Sequence, residues 1–313
     1  MKHILLLTAC AFVFCAGVFA QKDDKKPEQW PVAIRLNLKV TDANGDPVNN
    51  IAATDIKLYE NDVEQKVTNF AQRSDSNVIF VMDNTGSMRT QLDLEIRLAT
   101  VIANNLRDAD HAMVVRFVSN DKINICQPWT NDKVKLKAAF DNLFIEGGQS
   151  AVRDAIELTA RQLLDEAKTQ PEKEYALVLI SDGSDRNSYY NDKQLFSLIG
   201  GTQIQVFAFG LTNELKDFGN SSEKETAERF LHALAERTGG TVYTPGKKHT
   251  ADDLKAAVIS LINELRSGFF IDYVPNDRNH GADARKIRVE IADGPNGEKR
   301  TVVLRNSFVL PKS

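Results

Sequence analysis

The stretch that most constrains the fold is Val78-Ile79-Phe80-Val81-Met82, five consecutive apolar side chains bounded by Asn77 and Asp83. A run this short, apolar toward both faces, predicts a strand at the centre of a parallel sheet covered above and below. It stops at Asp83, and oxygen-bearing side chains then recur at every second position: Asp83, Thr85 and Ser87. Gly86 is expected to let the chain turn sharply toward a helix starting near Arg89. A strand end that feeds a helix start is where open α/β sheets place ligands. Carboxylate and hydroxyl oxygens gathered there, without thiol or imidazole, suit a hard divalent cation: magnesium, manganese or calcium.

From Asn77 to Ser267 strand and helix patterns alternate, the mark of a mostly parallel α/β sheet flanked by helices. Apolar strands are expected at Val78–Met82, Ala112–Val118, Ala176–Ile180 and Ile204–Phe209. Between them, Leu92, Ile96, Ala99, Ile102 and Leu106 share one helix face, as do Val152, Ala155, Ile156, Thr159 and Leu163. Ser222 and Glu225 have capping-box spacing before a helix running to Arg237-Thr238-Gly239, and Leu254 to Leu265 carries a further amphipathic stripe. These stripes are core-facing surfaces.

Both flanks read as β. Residues 31–73 hold three strands, at 34–40, 56–60 and 65–70, with a tight turn at Asn61-Asp62. Residues 268–313 hold three more, at 269–274, 286–291 and 301–310. Three strands at either end are too few for an independent sandwich. The two ends are therefore expected to form one small antiparallel β domain, with the α/β unit at 76–267 inserted into it.

Asp83-x-Thr85-x-Ser87 resembles the first motif of the metal-ion-dependent adhesion site of von Willebrand factor type A (VWA) domains. Two later pieces of that motif have counterparts. Gly147-Gly148-Gln149-Ser150-Ala151-Val152-Arg153-Asp154 resembles the loop that brings a hydroxyl, with Ser150 in the place of threonine, and Leu177 to Gly183 resembles the strand ending in Asp-Gly. Val40-Thr41-Asp42, Gly45-Asp46-Pro47-Val48 and Tyr59-Glu60-Asn61-Asp62 are similar to the N-terminal segment of the exported bacterial VWFA-related subgroup. The resemblance implies a VWA fold and a cation held by Asp83, Thr85, Ser87, Ser150 and Asp182. Asp154 and Asp185 are candidates for an outer shell. It implies a non-catalytic binding protein, of the adhesion type, whose protein or peptide partner completes the coordination with an Asp or Glu carboxylate.

Read singly, these residues have plainer roles: Thr85 and Ser87 as helix caps, Asp182-Gly183 as a turn. Three pieces in the right order favour the cation site over three coincidences. Two rival functions stand beside it. One is an architectural component of an envelope assembly with incidental metal. The other is an aspartyl-phosphate enzyme, because Asp83-Asn84-Thr85-Gly86-Ser87 also resembles the Asp-Lys-Thr-Gly-Thr motif of P-type ATPases; Asn84 departs from its lysine. The five histidines are scattered without zinc spacing, and no P-loop or Gly-x-Ser-x-Gly elbow occurs.

Met1-Lys2-His3, the apolar run Ile4–Phe19 and Val18-Phe19-Ala20 predict a secretory signal over 1–20, followed by a charged lead-in over 21–30. Cleavage near Ala20 would leave no membrane span and only Cys126 of three cysteines, expected as a small core residue. Leu7-Thr8-Ala9-Cys10 resembles a lipobox, but its apolar run continues past the cysteine. The expected location is thus the periplasm or the outside of the cell. A net charge of -4 gives no footprint for nucleic acid or an anionic membrane.

Overall fold

The structure is a computed structural model that describes residues 33–309 except 74, 201, 216, 219–220, 247 and 277–285. The expected signal segment, the lipobox at Cys10 and the lead-in lie outside the described residues.

The first four strands are β1 (Ile34–Asp42), β2 (Ile56–Glu60), β3 (Val63–Gln65) and β4 (Val67–Gln72). The α/β part follows with β5 (Ser76–Asp83), α1 (Leu92–Asn105), β6 (His111–Phe117), β7 (Ile123–Thr130) and α2 (Lys133–Asp141). Then come α3 (Val152–Thr169), β8 (Glu174–Ser181), α4 (Asp192–Ile199) and β9 (Ile204–Gly210). β10 (Asp217–Phe218) pairs with β11 (Ser221–Ser222), and α5 (Glu223–Thr238), β12 (Val242–Tyr243) and α6 (Ala251–Arg266) follow. The chain returns to β with β13 (Gly268–Tyr273), β14 (Ile287–Ile291) and β15 (Arg300–Val309).

The large sheet has the order β12-β9-β8-β5-β6-β7, parallel except for β7. Every residue of β5 is buried, as its unbroken apolar run requires. Val78, Phe80 and Met82 face the core made by α1, α2 and α6, where Phe140 meets Phe80 edge-on at 5.2 Å. Ile79 and Val81 face α3, α4 and α5, reaching Ile156, Leu163, Leu195 and Leu231. The chain leaves β5 for β6 on one side and later fills β8 on the other. The carboxyl end of β5 is therefore the topological switch point, where adjacent connections diverge and leave a crevice.

The chain ends do meet. β1 pairs antiparallel with β13, Leu36 opposite Ile271 and Leu38 opposite Phe269, and on its other edge with β15. With β4 on β13, this makes a four-stranded sheet, while β14, β2 and β3 form a second, also antiparallel. The two share one core of Ile34, Leu36, Leu38, Ile56, Leu58, Phe269, Ile271 and Tyr273. The architecture is an α/β unit between the halves of a small β domain built from both chain ends.

On the opposite face of β1, the buried Arg35 donates to both oxygens of Asp272 (2.7 and 2.8 Å) and to the Pro171 carbonyl ahead of β8 (2.7 Å). Arg73 pairs with Glu174, the first residue of β8, at 2.8 Å. These charges fasten the β domain to the base of the large sheet, away from the carboxyl end of β5.

Three expectations need correction. The strand expected at 65–70 is two strands: β3 completes the β2 hairpin, whose Asn61-Asp62 turn has positive φ at both residues, and β4 crosses to the other sheet. Cys126 is exposed, because β7 is the antiparallel edge strand and its residue 126 faces solvent. Gly86 takes no left-handed conformation and has open space where a Cβ would lie; the turn after β5 is a short 3-10 helix, Gly86–Thr90, that other residues could also adopt.

Candidate metal centre

The site begins at the end of β5. Asp83 is fully buried, and both of its oxygens accept hydrogen bonds. Thr85 donates its backbone N–H (3.1 Å) and its hydroxyl (2.6 Å) to Oδ1. The Ser181 hydroxyl, last in β8, donates to Oδ2 (2.5 Å) and accepts from the Gly183 N–H (2.9 Å). Thr85 Oγ1 and Ser87 Oγ lie 3.1 Å apart. Thr85 stands at the N-cap of the 3-10 helix yet its side chain caps nothing, so its hydroxyl is directed at Asp83 rather than into the helix. Gly86 and Ser87 are exposed, which opens the cluster to solvent on that side.

Asp182 follows at the end of β8. Its Oδ1 accepts from the Ser184 N–H (2.9 Å), while the buried Oδ2 makes no hydrogen bond. The Ser87 hydroxyl is close enough to temper this carboxylate's charge. Gly183 has φ +75°, a left-handed conformation that glycine adopts without strain and that turns the chain away directly after Asp182.

Ser150 comes from the loop before α3. Its carbonyl accepts from the Arg186 (2.8 Å) and Asn187 (2.9 Å) N–H groups, which ties this loop to the one carrying Asp182. Its hydroxyl is buried and unpartnered. The same loop is tied to β5 through Asn84, which donates to the Phe144 carbonyl (2.8 Å) and accepts from the Glu146 N–H (2.9 Å). Hydrogen bonds thus join Asp83 and Thr85, Ser87 lies beside Thr85, the Asp182 charge acts on Asp83, and Ser150 sits on a loop stitched to both of theirs.

The two outer-shell candidates are engaged elsewhere in these loops. Asp154 accepts from the Tyr189 (2.9 Å) and Tyr190 (3.0 Å) N–H groups. Asp185 accepts from the Arg153 N–H (2.9 Å) and the Ser188 hydroxyl (2.6 Å), and pairs with the Arg153 guanidinium. Both brace the chain between Asp182 and α4.

Two residues escape the motif. Ser181 orients Asp83 from the neighbouring strand. Glu95 is wholly buried on α1, with neither carboxylate oxygen hydrogen-bonded. The sequence did carry a signal for Glu95: it falls four residues before Ala99 and seven before Ile102, a charge inside an apolar stripe.

The electrostatics are those of an acidic pocket. Burial, then the Asp182 charge, push the Asp83 carboxyl up to about 7, against the opposing hydrogen bonds from Ser181 and Thr85. Burial raises Asp182 as well, opposed by Ser87 and Ser184, with Arg186 attracting it more weakly. Glu95 is driven well above the usual carboxylate range by burial and then by Asp83. No basic side chain is among the groups acting on Asp83.

These donors fit a hard cation. Two are carboxylates and three are hydroxyls, and two of the buried oxygens, Asp182 Oδ2 and Ser150 Oγ, are unpartnered. Among the described residues, no group of three or more His, Cys, Asp or Glu side chains forms a metal-holding cluster. Any cation here would therefore depend on the hydroxyls, as hard-oxygen coordination allows.

Residues 78–184 match the family model described as the von Willebrand factor type A domain. No curated protein matches the sequence. Among solved structures, the chain is similar to the conserved hypothetical protein BatB from Bacteroides thetaiotaomicron at 18% identity, covering 61% of this chain and 98% of that one, TM-score 0.47. An aerotolerance-related membrane protein from Bacteroides fragilis aligns at 20% identity over 60% of this chain and 99% of its own, TM-score 0.44. A von Willebrand factor type A protein from Catenulispora acidiphila aligns at 13% identity over 90% of this chain and 74% of its own, TM-score 0.47. The segment from residue 78 to residue 184, which contains every one of the five expected ligands, matches the von Willebrand factor type A domain, and the largely parallel sheet flanked by helices has that type of α/β fold.

Proposed function

We propose that this is an exported, non-catalytic binding protein whose VWA domain holds a divalent cation, magnesium or manganese before calcium, and recognises a partner through it. Asp83, Thr85, Ser87, Ser150 and Asp182 would hold the ion. When bound, the ion supplies an electrophilic position that an Asp or Glu carboxylate of a protein partner completes. One observation carries the reading: two buried carboxylates and the hydroxyls of Thr85 and Ser87 converge at the sheet's switch point, with Asp182 Oδ2 left unpartnered.

The chain's own residues divide the labour. Thr85 and Ser181 fix both oxygens of Asp83, so that its charge stays within the site. Ser87, exposed at the rim, marks the side from which a partner would approach. An Asp83 nucleophile fits this arrangement less well, since the side chain is fully buried and both oxygens already accept hydrogen bonds. Export rests on the signal pattern of the first twenty residues. Among the described residues no helix is long and apolar enough to cross a membrane.

Calorimetric titration of the protein with magnesium and with manganese, beside Asp83→Ala, tests the reading. Binding by the native protein and its loss in a variant with unchanged circular dichroism is the expected result. Equal binding by both, or by neither, would overturn it.

A further inference from the structure

The β domain has a cavity of about 630 Å³ between the loop that precedes β2 and the turn that joins β14 to β15. Asp55, directly before β2, and Asp293, just after β14, line it, and Arg300, the first residue of β15, completes the wall. The Ala292 N–H donates to the Asp55 carbonyl (2.8 Å) and ties the two loops together. The Arg300 side chain is only 3% exposed, yet its Nε makes no hydrogen bond. Its other contacts are long. Nη1 lies 3.5 Å from Asp55 Oδ2, and Nη2 lies 3.5 Å from both the carbonyl and Oδ1 of Asn50. These distances are at the outer limit of hydrogen bonding.

The same molecule shows what a buried arginine does when its partner is built in. Arg35 gives Nε and Nη2 to the two oxygens of Asp272, at 2.7 and 2.8 Å, and Arg73 gives Nε to Glu174 at 2.8 Å. That edge of a guanidinium is a planar fork matched to a carboxylate, and leaving it buried and unpaired is costly. In Arg300 no carboxylate of the chain fills the fork. Gly294 lies against it: a Cβ there would stand 2.9 Å from both Nε and Nη2, so glycine keeps this side of the cavity open. Glu298 Oε2 comes within 2.8 Å of the same point, and Asp293 pairs with the exposed Lys299 at 2.5 Å. Asp55, Asp293 and Glu298 would repel a simple anion. A molecule that carries an ammonium group beside its carboxylate meets both charges of the cavity, and Ile51 and Pro295 give it an apolar wall.

We propose that this cavity is a second binding site, for a free α-amino acid with an apolar side chain. The Arg300 fork takes the α-carboxylate through Nε and Nη2, as Arg35 takes Asp272. The α-ammonium group sits between Asp55 and Asp293, and the side chain lies along Ile51 and Pro295. The site belongs to the β domain and does not depend on a cation at the end of β5.

The test follows the Arg300 Nε–H resonance of the native protein, in chelator, during titration with leucine, N-acetylleucine and leucinamide. Leucine should shift this resonance and saturate it. N-acetylleucine, which lacks the ammonium charge, and leucinamide, which lacks the carboxylate, should bind at least about ten-fold more weakly, as the loss of a charge-assisted hydrogen bond requires. Arg300→Lys keeps the charge and loses the fork, and Asp293→Asn loses one carboxylate. Each, with unchanged circular dichroism, should weaken leucine binding by a similar factor. No shift up to the solubility limit of leucine would overturn the proposal, and so would an analogue that binds as well as leucine. Native-like leucine binding by folded Arg300→Lys would overturn it too. If that variant fails to fold, the native protein's discrimination among the three ligands decides.

Discussion

At the scale of single residues, the chemistry of the site is set by where Asp83 lies. A carboxylate at the end of a fully buried strand loses its hydration, and a second carboxylate across the cleft adds repulsion. Its folded-state pKa is raised to about 7. The folded, metal-free protein therefore holds a proton that the unfolded chain releases near the ordinary Asp value of about 4. Stability of the metal-free protein should fall as pH rises from about 4 to about 7, because the native state binds more protons across that window. Cation binding displaces the proton, so magnesium affinity should rise from pH 5.5 to pH 8, with protons released on binding. Calorimetry in buffers of different ionisation enthalpy measures both. An affinity flat across that range would contradict the role given to Asp83.

At the scale of elements, β1 and β13 hold the two ends of the chain together, and their junction is polar on one face and apolar on the other. Asp272 accepts from the Arg35 guanidinium in a bidentate pair and from Asn69 Nδ2 (3.1 Å). Asp272→Ala would leave the Arg35 charge buried and is expected to cost about 3–5 kcal/mol in denaturant unfolding. A change under about 1 kcal/mol would show that the pair only decorates the junction. The elements also show what was legible beforehand. The run at 78–82, the helix stripes on α1 and α3, and the Asp-Gly after β8 each carry a period or a turn dipeptide that one physical cause explains. The split between β3 and β4 does not, because only Lys66 separates the two strands while their hydrogen-bond partners lie in different sheets. β7 likewise alternates like a half-buried strand, and only its place at the sheet edge turns Cys126 outward. The expected ligand positions could be named beforehand because each of the three pieces of the motif is local in sequence. Ser181 was not recognised, since its hydrogen bond to Asp83 depends on β8 standing beside β5.

At the scale of the whole molecule, the α/β unit begins and ends on adjacent strands, so the β domain cannot form until the chain has been completed to β13. Ending the chain at Ser267 would remove Phe269, Ile271 and Tyr273 and uncover Ile34, Leu36 and Leu38. At about 1.5–3 kcal/mol for each buried side chain, that loss is comparable to the entire stability of an ordinary domain, about 5–15 kcal/mol. The shortened chain should aggregate or melt far below the full one by circular dichroism. Equal melting temperatures would contradict a shared β core. The claim on which the functional reading turns is narrower: one divalent ion bound by oxygens from three connections at the switch point. Anomalous scattering from manganese-soaked crystals tests it most directly. The account predicts a single strong peak bounded by Ser87, Thr85, Ser150 and Asp182, with oxygen distances near 2.0–2.2 Å for a small hard cation. No peak at that position, with the Thr85 and Ser87 hydroxyls still paired to each other, would contradict it.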